Sequence, residues 1–127
     1  MLPKQYRLRK MKDFEILFKE GGFIAGDFLN IKIWKIDPKK YPRRKYPKDD
    51  LKIGFVVGIK VSKSAVKRNL IKRRMREVVR LLLKEKKIKS GYMIAVLAKA
   101  DILDCEYAEI EKAIMTVFKR ARLLYEN

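Results

Sequence analysis

Residues 60–80 read KVSKSAVKRNLIKRRMREVVR, and they predict a helix that begins after Ser62 or Ser64 as N-cap and runs to about residue 86. Nine residues of this stretch are basic and one is acidic. Because successive helical residues turn by about 100°, apolar and basic side chains separate onto two faces. The apolar face holds Ile71, Met75, Val78, Val79 and Leu82, and the cationic face holds Arg68, Asn69, Lys72, Arg73, Arg76 and Arg80.

The cationic face predicts a polyanionic partner. Arg68, Lys72, Arg76 and Arg80 recur every four residues, a spacing at which like charges in an isolated helix repel by a few tenths of a kcal/mol, roughly, per pair. The whole chain has the same bias, since 33 Lys and Arg against 15 Asp and Glu give a net charge of +18. Such a charge attracts RNA, DNA and anionic membranes alike.

The sequence argues against two of these partners. No apolar run reaches the roughly 18 residues of a membrane span, and residues 1–10 lack the apolar stretch of a signal peptide, so we expect a cytoplasmic protein without a membrane partner. A membrane-surface helix is disfavoured because the apolar face is needed for the core. DNA is also disfavoured, since a nearly pure cationic face contacts phosphates well and base edges poorly.

The residues that carry most enzymatic chemistry are scarce. The chain has no histidine and one cysteine, Cys105, so the commonest zinc ligands and general bases are missing. Its acidic residues are dispersed: residues 49–50 lie in a loop, and Glu77 is expected to pair with Arg73 or Arg80. We therefore predict neither catalytic side chains nor a metal site in the protein.

Hydrophobic periodicity predicts a single domain over residues 1–127, an α+β sandwich in the order helix, strand, strand, helix, strand, helix. Asp13 is a candidate N-cap for the first helix, and Gly21 and Gly22 are its stop signal. The last strand is apolar on both faces, as a central strand is. Besides the central helix, the predicted elements are helices at 12–20 and 107–124 and strands at 28–36, 52–60 and 92–98.

Two further features concern backbone and loops. In the second strand, Gly54 and Gly58 share one face, where a ligand or another backbone can approach closely. Residues 37–50 hold three of the four prolines and six basic residues, and form a loop. Tyr41 and Tyr46 in this loop could stack on single-stranded nucleic acid, but a solvent-exposed connection is the favoured interpretation.

Three segments carry a family resemblance. Residues 65–73, AVKRNLIKR, followed by Arg76 and Glu77, resemble the RNR motif of bacterial ribonuclease P protein subunits. Residues 7–22, RLRKMKDFEILFKEGG, are similar to that family's N-terminal region, and residues 90–100, SGYMIAVLAKA, resemble its final strand. Element order and length match over nearly the whole chain, although the loop at 37–50 is longer than the family leads us to expect.

The resemblance implies a non-catalytic protein subunit that joins a catalytic RNA, which removes the 5′ leader of precursor tRNA by Mg²⁺-dependent hydrolysis. It implies that the Mg²⁺ is held mainly by RNA and substrate phosphates. It also implies a left-handed strand–helix–strand crossover, against the general right-handed rule. The residues implied to contact the catalytic RNA are Lys60, Arg68, Asn69, Lys72, Arg73 and Arg76.

The resemblance further implies that Phe14 and Phe18 line a central cleft for the single-stranded leader, where aromatic rings can stack on bases. Helical spacing alone instead favours both rings as core residues. A basic ribosomal or general RNA-binding protein shares the charge and size of this chain and stays the alternative. Partner choice discriminates the two, because a ribosomal protein should show no preference for a tRNA leader.

Overall fold

A computed structural model describes residues 2–125, which form three helices and one four-stranded sheet. This confirms the predicted α+β class and single domain. Short 3₁₀ turns lie at Lys4–Tyr6, Pro42–Arg44 and Ala100–Asp104. The helices and strands are α1 (Met11–Glu20), β1 (Gly22–Ala25), β2 (Leu29–Lys35), β3 (Leu51–Val56), α2 (Ala65–Lys84), β4 (Tyr92–Ala98) and α3 (Tyr107–Arg120).

The sheet has the strand order β1-β2-β4-β3 and is mixed. β4 pairs antiparallel with β2 and parallel with β3, so the strand–helix–strand unit β3-α2-β4 is parallel, as predicted. β4 is also the predicted central strand, since four consecutive residues beginning at Met93 are buried. The left-handed crossover stays a prediction from the resemblance.

The two faces of the sheet bury different helices because alternate residues of each strand point to opposite sides. On one face, Ile31, Ile53 and Ile94 belong to the larger core cluster, together with the apolar sides of α2 and α3. On the other face, a smaller cluster joins Trp34 and Met93 to α1. The helix that carries the cationic face is thus packed against the sheet from the opposite side to α1.

The predicted faces of α2 are confirmed. Its buried residues are the five of the predicted apolar face. Ser64 is the N-cap and accepts a hydrogen bond from the Lys67 backbone N–H at 3.3 Å, which decides between the two candidate serines. The helix ends at Lys84, close to the predicted boundary.

Some local predictions were wrong. The strand β1 was missed, because the glycines at 21 and 22 indicate a helix stop but do not show that a short strand follows. The second predicted strand ends at Val56, so Gly58 lies outside it. Asp13 does not cap α1, whose N-cap is Lys10; instead it is buried in the first turn and bound by two residues of the loop.

Most residues of the loop at 37–50 are exposed, as its composition predicts, but its two tyrosines are not. Tyr46 is buried and Tyr41 is half-buried, and both rings contact Trp34 edge-to-face at centroid distances of 5.8 and 6.0 Å. The loop therefore covers the sheet beside α1, with its tyrosines turned inward. In the part of the chain that the structure describes, no helix is both long and apolar enough to cross a membrane.

Candidate nucleic-acid interface

The six residues implied as RNA contacts lie on α2 and on the loop before it. Lys60, Asn69 and Arg73 are exposed, while Arg68, Lys72 and Arg76 are half-buried. Within residues 2–125, the side chains of all six except Arg68 form no hydrogen bond or ion pair. Four cations and one amide are thus unpaired and accessible, and a phosphate backbone suits such an array.

Arg68 differs from its neighbours on the cationic face because it already has a backbone partner. Its Nη1 donates to the carbonyl oxygen of Ser62 at 2.9 Å, across the turn that leads into α2. The guanidinium group therefore holds this turn against the helix. Since it has further N–H donors, Arg68 can do so and still contact a phosphate.

Arg80 is neutralised within the helix. It forms two hydrogen bonds to the Glu77 carboxylate, at 2.7 and 3.0 Å, which confirms one of the two predicted partners of Glu77. The hydrogen bonds from Arg80 lower the pKa of the Glu77 carboxyl group. The unpaired part of the cationic face thus ends near Arg76.

A cleft of about 340 Å³ lies where α2, β3, α1 and the N-terminal segment meet. Lys72 and Arg76 line it from α2, and Phe14 lines it from α1. The cleft therefore joins cationic side chains to an aromatic ring, which is the combination that binds single-stranded nucleic acid.

Neither of the two candidate cleft phenylalanines is fully buried, although Phe14 packs against the smaller core cluster. Phe14 is half-buried and Phe18 is 41% exposed, while Ile16 and Leu17 fill the core positions of α1. The rings of Phe14 and Phe18 stack, with centroids 6.3 Å apart and an interplanar angle of 20°. Phe14 forms part of the cleft wall, whereas Phe18 is not among the residues that line the cleft and contacts it only through the ring of Phe14.

The N-terminal wall of the cleft was not predicted from the sequence. It is formed by Leu2, Arg7, Leu8 and Arg9. Arg7 pairs with Ile53 in a parallel bridge, and the Leu8 backbone N–H donates to the Ile53 carbonyl oxygen at 3.0 Å. The segment therefore extends the sheet beyond β3. Basic and apolar residues alternate in residues 7–10, RLRK, and this pattern could have predicted an extended segment.

A buried polar network fixes α1 beneath the loop. The Asp13 Oδ1 atom accepts from Arg44 Nη2 at 2.6 Å and from the Tyr46 hydroxyl at 2.5 Å. Burial, followed by the hydrogen bond to Asp13, raises the pKa of Tyr46. Because Phe14 directly follows Asp13, this network also positions the aromatic wall of the cleft.

The carboxylates do not form a metal site in the described residues. Across residues 2–125, no three side chains among histidine, cysteine, aspartate and glutamate come together as a possible metal-binding group. Mg²⁺ prefers carboxylate, phosphate and water oxygens. The donor set of residues 2–125 therefore does not fit a Mg²⁺ site built by protein alone.

Comparisons with known proteins agree on one family. The family model described as Ribonuclease P matches residues 2–122. The ribonuclease P protein component of Pseudanabaena sp. is 34% identical over 127 residues and covers all of both chains. That of Picosynechococcus sp. is 33% identical over 124 residues, 98% of this chain and 97% of its relative.

Solved structures show the same fold. The Staphylococcus aureus RNase P protein superposes with a TM-score of 0.78 at 25% identity, covering 96% of this chain and 100% of that one. The Thermotoga maritima RNase P protein has a TM-score of 0.72 at 24% identity, covering 95% of this chain and 98% of that one.

Proposed function

The chain belongs to the ribonuclease P protein family, and from that premise we propose that it binds the catalytic RNA and the 5′ leader of precursor tRNA through two adjoining surfaces. The cationic face of α2 contacts the catalytic RNA, and the cleft receives the leader. The observation that carries the proposal is that Lys72 and Arg76 belong to the cationic face and also line the cleft beside Phe14.

The RNA surface acts mainly through charge. Lys60, Lys72, Arg73 and Arg76 have no internal ion pairs within residues 2–125, so binding a phosphate does not require an existing contact to break. Each phosphate that they neutralise releases condensed counterions. With Arg68 added, five contacts predict a slope of about −4 for log affinity against log salt.

The leader surface acts through stacking as well as charge. The Phe14 ring lines the cleft, and a base stacked on an aromatic ring contributes about 1–3 kcal/mol. Lys72 and Arg76 also line the cleft, so their positive charge favours a negatively charged strand there. This combination favours an unpaired strand over a duplex, whose bases are already stacked.

The proposal assigns no bond-breaking step to the protein. Its side chains bind and orient RNA, while the catalytic RNA performs the hydrolysis. The required Mg²⁺ is placed with RNA and substrate phosphates, in keeping with the dispersed carboxylates of residues 2–125. The proposed setting is the cytoplasm, with neither membrane nor DNA as a partner.

The test is cleavage of precursor tRNA at low Mg²⁺ by the protein alone, by a bacterial ribonuclease P RNA alone, and by the two together. Cleavage that is efficient only in the mixture supports the proposal. Cleavage by the protein alone contradicts it and assigns an active site to the protein. No stimulation of several such RNAs would instead favour a general RNA-binding role.

A further inference from the structure

A second groove, of about 840 Å³, lies between the N-terminal segment and the loop at 37–50. Eight basic and two acidic residues line it. Arg7 and Arg9 line both this groove and the cleft, so the two depressions adjoin. The groove is separate from the cationic face of α2, none of whose residues lines it.

The two acidic residues of the groove do not neutralise its free cations. Asp13 is engaged by Arg44 and Tyr46, and the Asp50 carboxylate accepts the Leu51 backbone N–H at 3.0 Å. The groove therefore keeps most of its positive charge for a partner.

Four cations of the groove are accessible: Arg9, Lys10, Arg43 and Lys45 are exposed, and within residues 2–125 their side chains have no hydrogen bond or ion pair. The start of α1 adds to this charge. The helix begins at Met11 without a side-chain cap, so the positive end of its dipole faces the groove beside Lys10.

The side chains that line the groove suit contacts to phosphates better than contacts to bases. Tyr46 is the single aromatic residue in its described lining, and this residue is buried. Its hydroxyl group donates to Asp13 and accepts from the Arg44 Nε atom at 3.2 Å, so it is already satisfied. With no exposed ring for stacking, contacts to the sugar–phosphate backbone dominate and are independent of sequence.

We infer that this groove binds the backbone of the part of the 5′ leader that extends beyond the cleft. The inference rests on the proposed function of the cleft. A single strand that leaves the cleft past Arg9 enters the groove directly, because that residue lines both. One strand would thus be bound by base stacking in the cleft and by phosphate contacts in the groove.

The test uses the reconstituted holoenzyme and precursor tRNAs whose leaders lengthen one nucleotide at a time, with mature tRNA as the reference. The variant is Arg43→Gln with Lys45→Gln, which removes two exposed charges of the groove. The matched control is Lys112→Gln with Lys119→Gln, which removes two exposed charges on α3.

For the wild type and the control, affinity should keep rising with leader length after the cleft is filled. For the groove variant, the rise should stop earlier, and the salt slope for long leaders should weaken by about 1.4 units, as two lost single-strand contacts predict. Thermal unfolding of both variants should match the wild type, because the substituted residues are exposed.

Other outcomes separate the inference from the proposed function. A loss that is equal at every leader length, together with weaker binding to the catalytic RNA, overturns the inference and assigns the groove to that RNA. An unchanged length dependence also overturns it. If the wild-type holoenzyme shows no preference for leader-bearing over mature tRNA, the proposed leader function itself fails.

Discussion

The ring of Phe14 lies directly over Gly54, so closely that a Cβ atom on Gly54 would come within 2.6 Å of the Phe14 Cζ atom. Phe14 belongs to α1 and Gly54 to β3, and both line the cleft. Because Gly54 has no side chain, the Phe14 ring can rest on the sheet at this position. The sequence predicts that a ligand or another backbone approaches Gly54 closely, and the structure places side chains of the same molecule there instead.

Gly54→Ala should displace the Phe14 ring, because the methyl group and the ring cannot occupy the same space. The expected result is weaker holoenzyme binding of leader-bearing precursor tRNA with little change for mature tRNA, measured as the two Kd values. Gly22→Ala is the control, since its added Cβ meets nothing within 4 Å. Equal weakening by both glycine variants would contradict the steric explanation.

Phe14→Ala should also act on the leader alone. Loss of one stacking surface is expected to cost about 1–3 kcal/mol of binding free energy for leader-bearing substrate. Phe14→Tyr should retain most of the affinity, because it keeps the ring. Competition between precursor and mature tRNA gives the measurement, and an equal loss of affinity for both substrates would assign Phe14 to packing.

Arg73→Ala should weaken assembly with the catalytic RNA and leave the unfolding temperature unchanged, because the side chain is exposed and unpaired within residues 2–125. The salt dependence of RNA affinity should lose close to one unit of slope. Arg73→Lys should recover the slope but not all of the affinity, since lysine lacks the bidentate geometry of arginine. Unchanged RNA affinity for Arg73→Ala would remove this residue from the interface.

Arg68→Ala should weaken RNA binding and also destabilise the turn before α2, where Arg68 donates to the Ser62 carbonyl oxygen. A residue that only contacted RNA would affect RNA binding alone, and the hydrogen bond to Ser62 is the reason to expect the second effect. A thermal unfolding comparison with Arg73→Ala separates the two roles. Identical unfolding temperatures for both variants would show that the Ser62 contact adds little stability.

Periodicity was sufficient to predict the helix α2 and the central strand β4, since long regular patterns depend on local residues. It could not place Asp13, whose partners Arg44 and Tyr46 lie more than 30 residues away. The same limit applies to Phe14, because helical spacing does not show that Gly54 leaves room above β3. The cleft and the groove arise from contacts between segments that are distant in sequence.

Asp13→Asn should destabilise the fold by about 3 kcal/mol, because it weakens two charge-assisted hydrogen bonds in a buried site. Chemical denaturation measures the loss of unfolding free energy. Tyr46→Phe keeps the ring contact with Trp34 and should cost less. If the double variant loses as much as the sum of the single variants, Asp13 and Tyr46 are not coupled and the network is misassigned.

The ion pair between Glu20 and Lys40 should make attachment of the loop to α1 dependent on pH. The hydrogen bond from Lys40 is the main cause that lowers the pKa of the Glu20 carboxyl group, and Tyr41 donates to the same carboxylate at 3.2 Å. Because the folded pKa lies below the unfolded value, the stabilisation is present above about pH 4.5 and is lost as pH falls through the folded pKa.

Glu20→Gln should therefore reduce stability near neutral pH and flatten its decline in acid, as measured by denaturation between pH 3 and 7, roughly the range in which carboxylates titrate. Glu15→Gln is the control, since Glu15 is an exposed residue of the same helix that pairs weakly with Lys12 at 3.7 Å. A parallel decline for wild type and Glu20→Gln would show that other carboxylates control acid stability. If stability declines less steeply in acid for Glu20→Gln but not for Glu15→Gln, the contact between the loop and α1 determines the acid sensitivity of the fold.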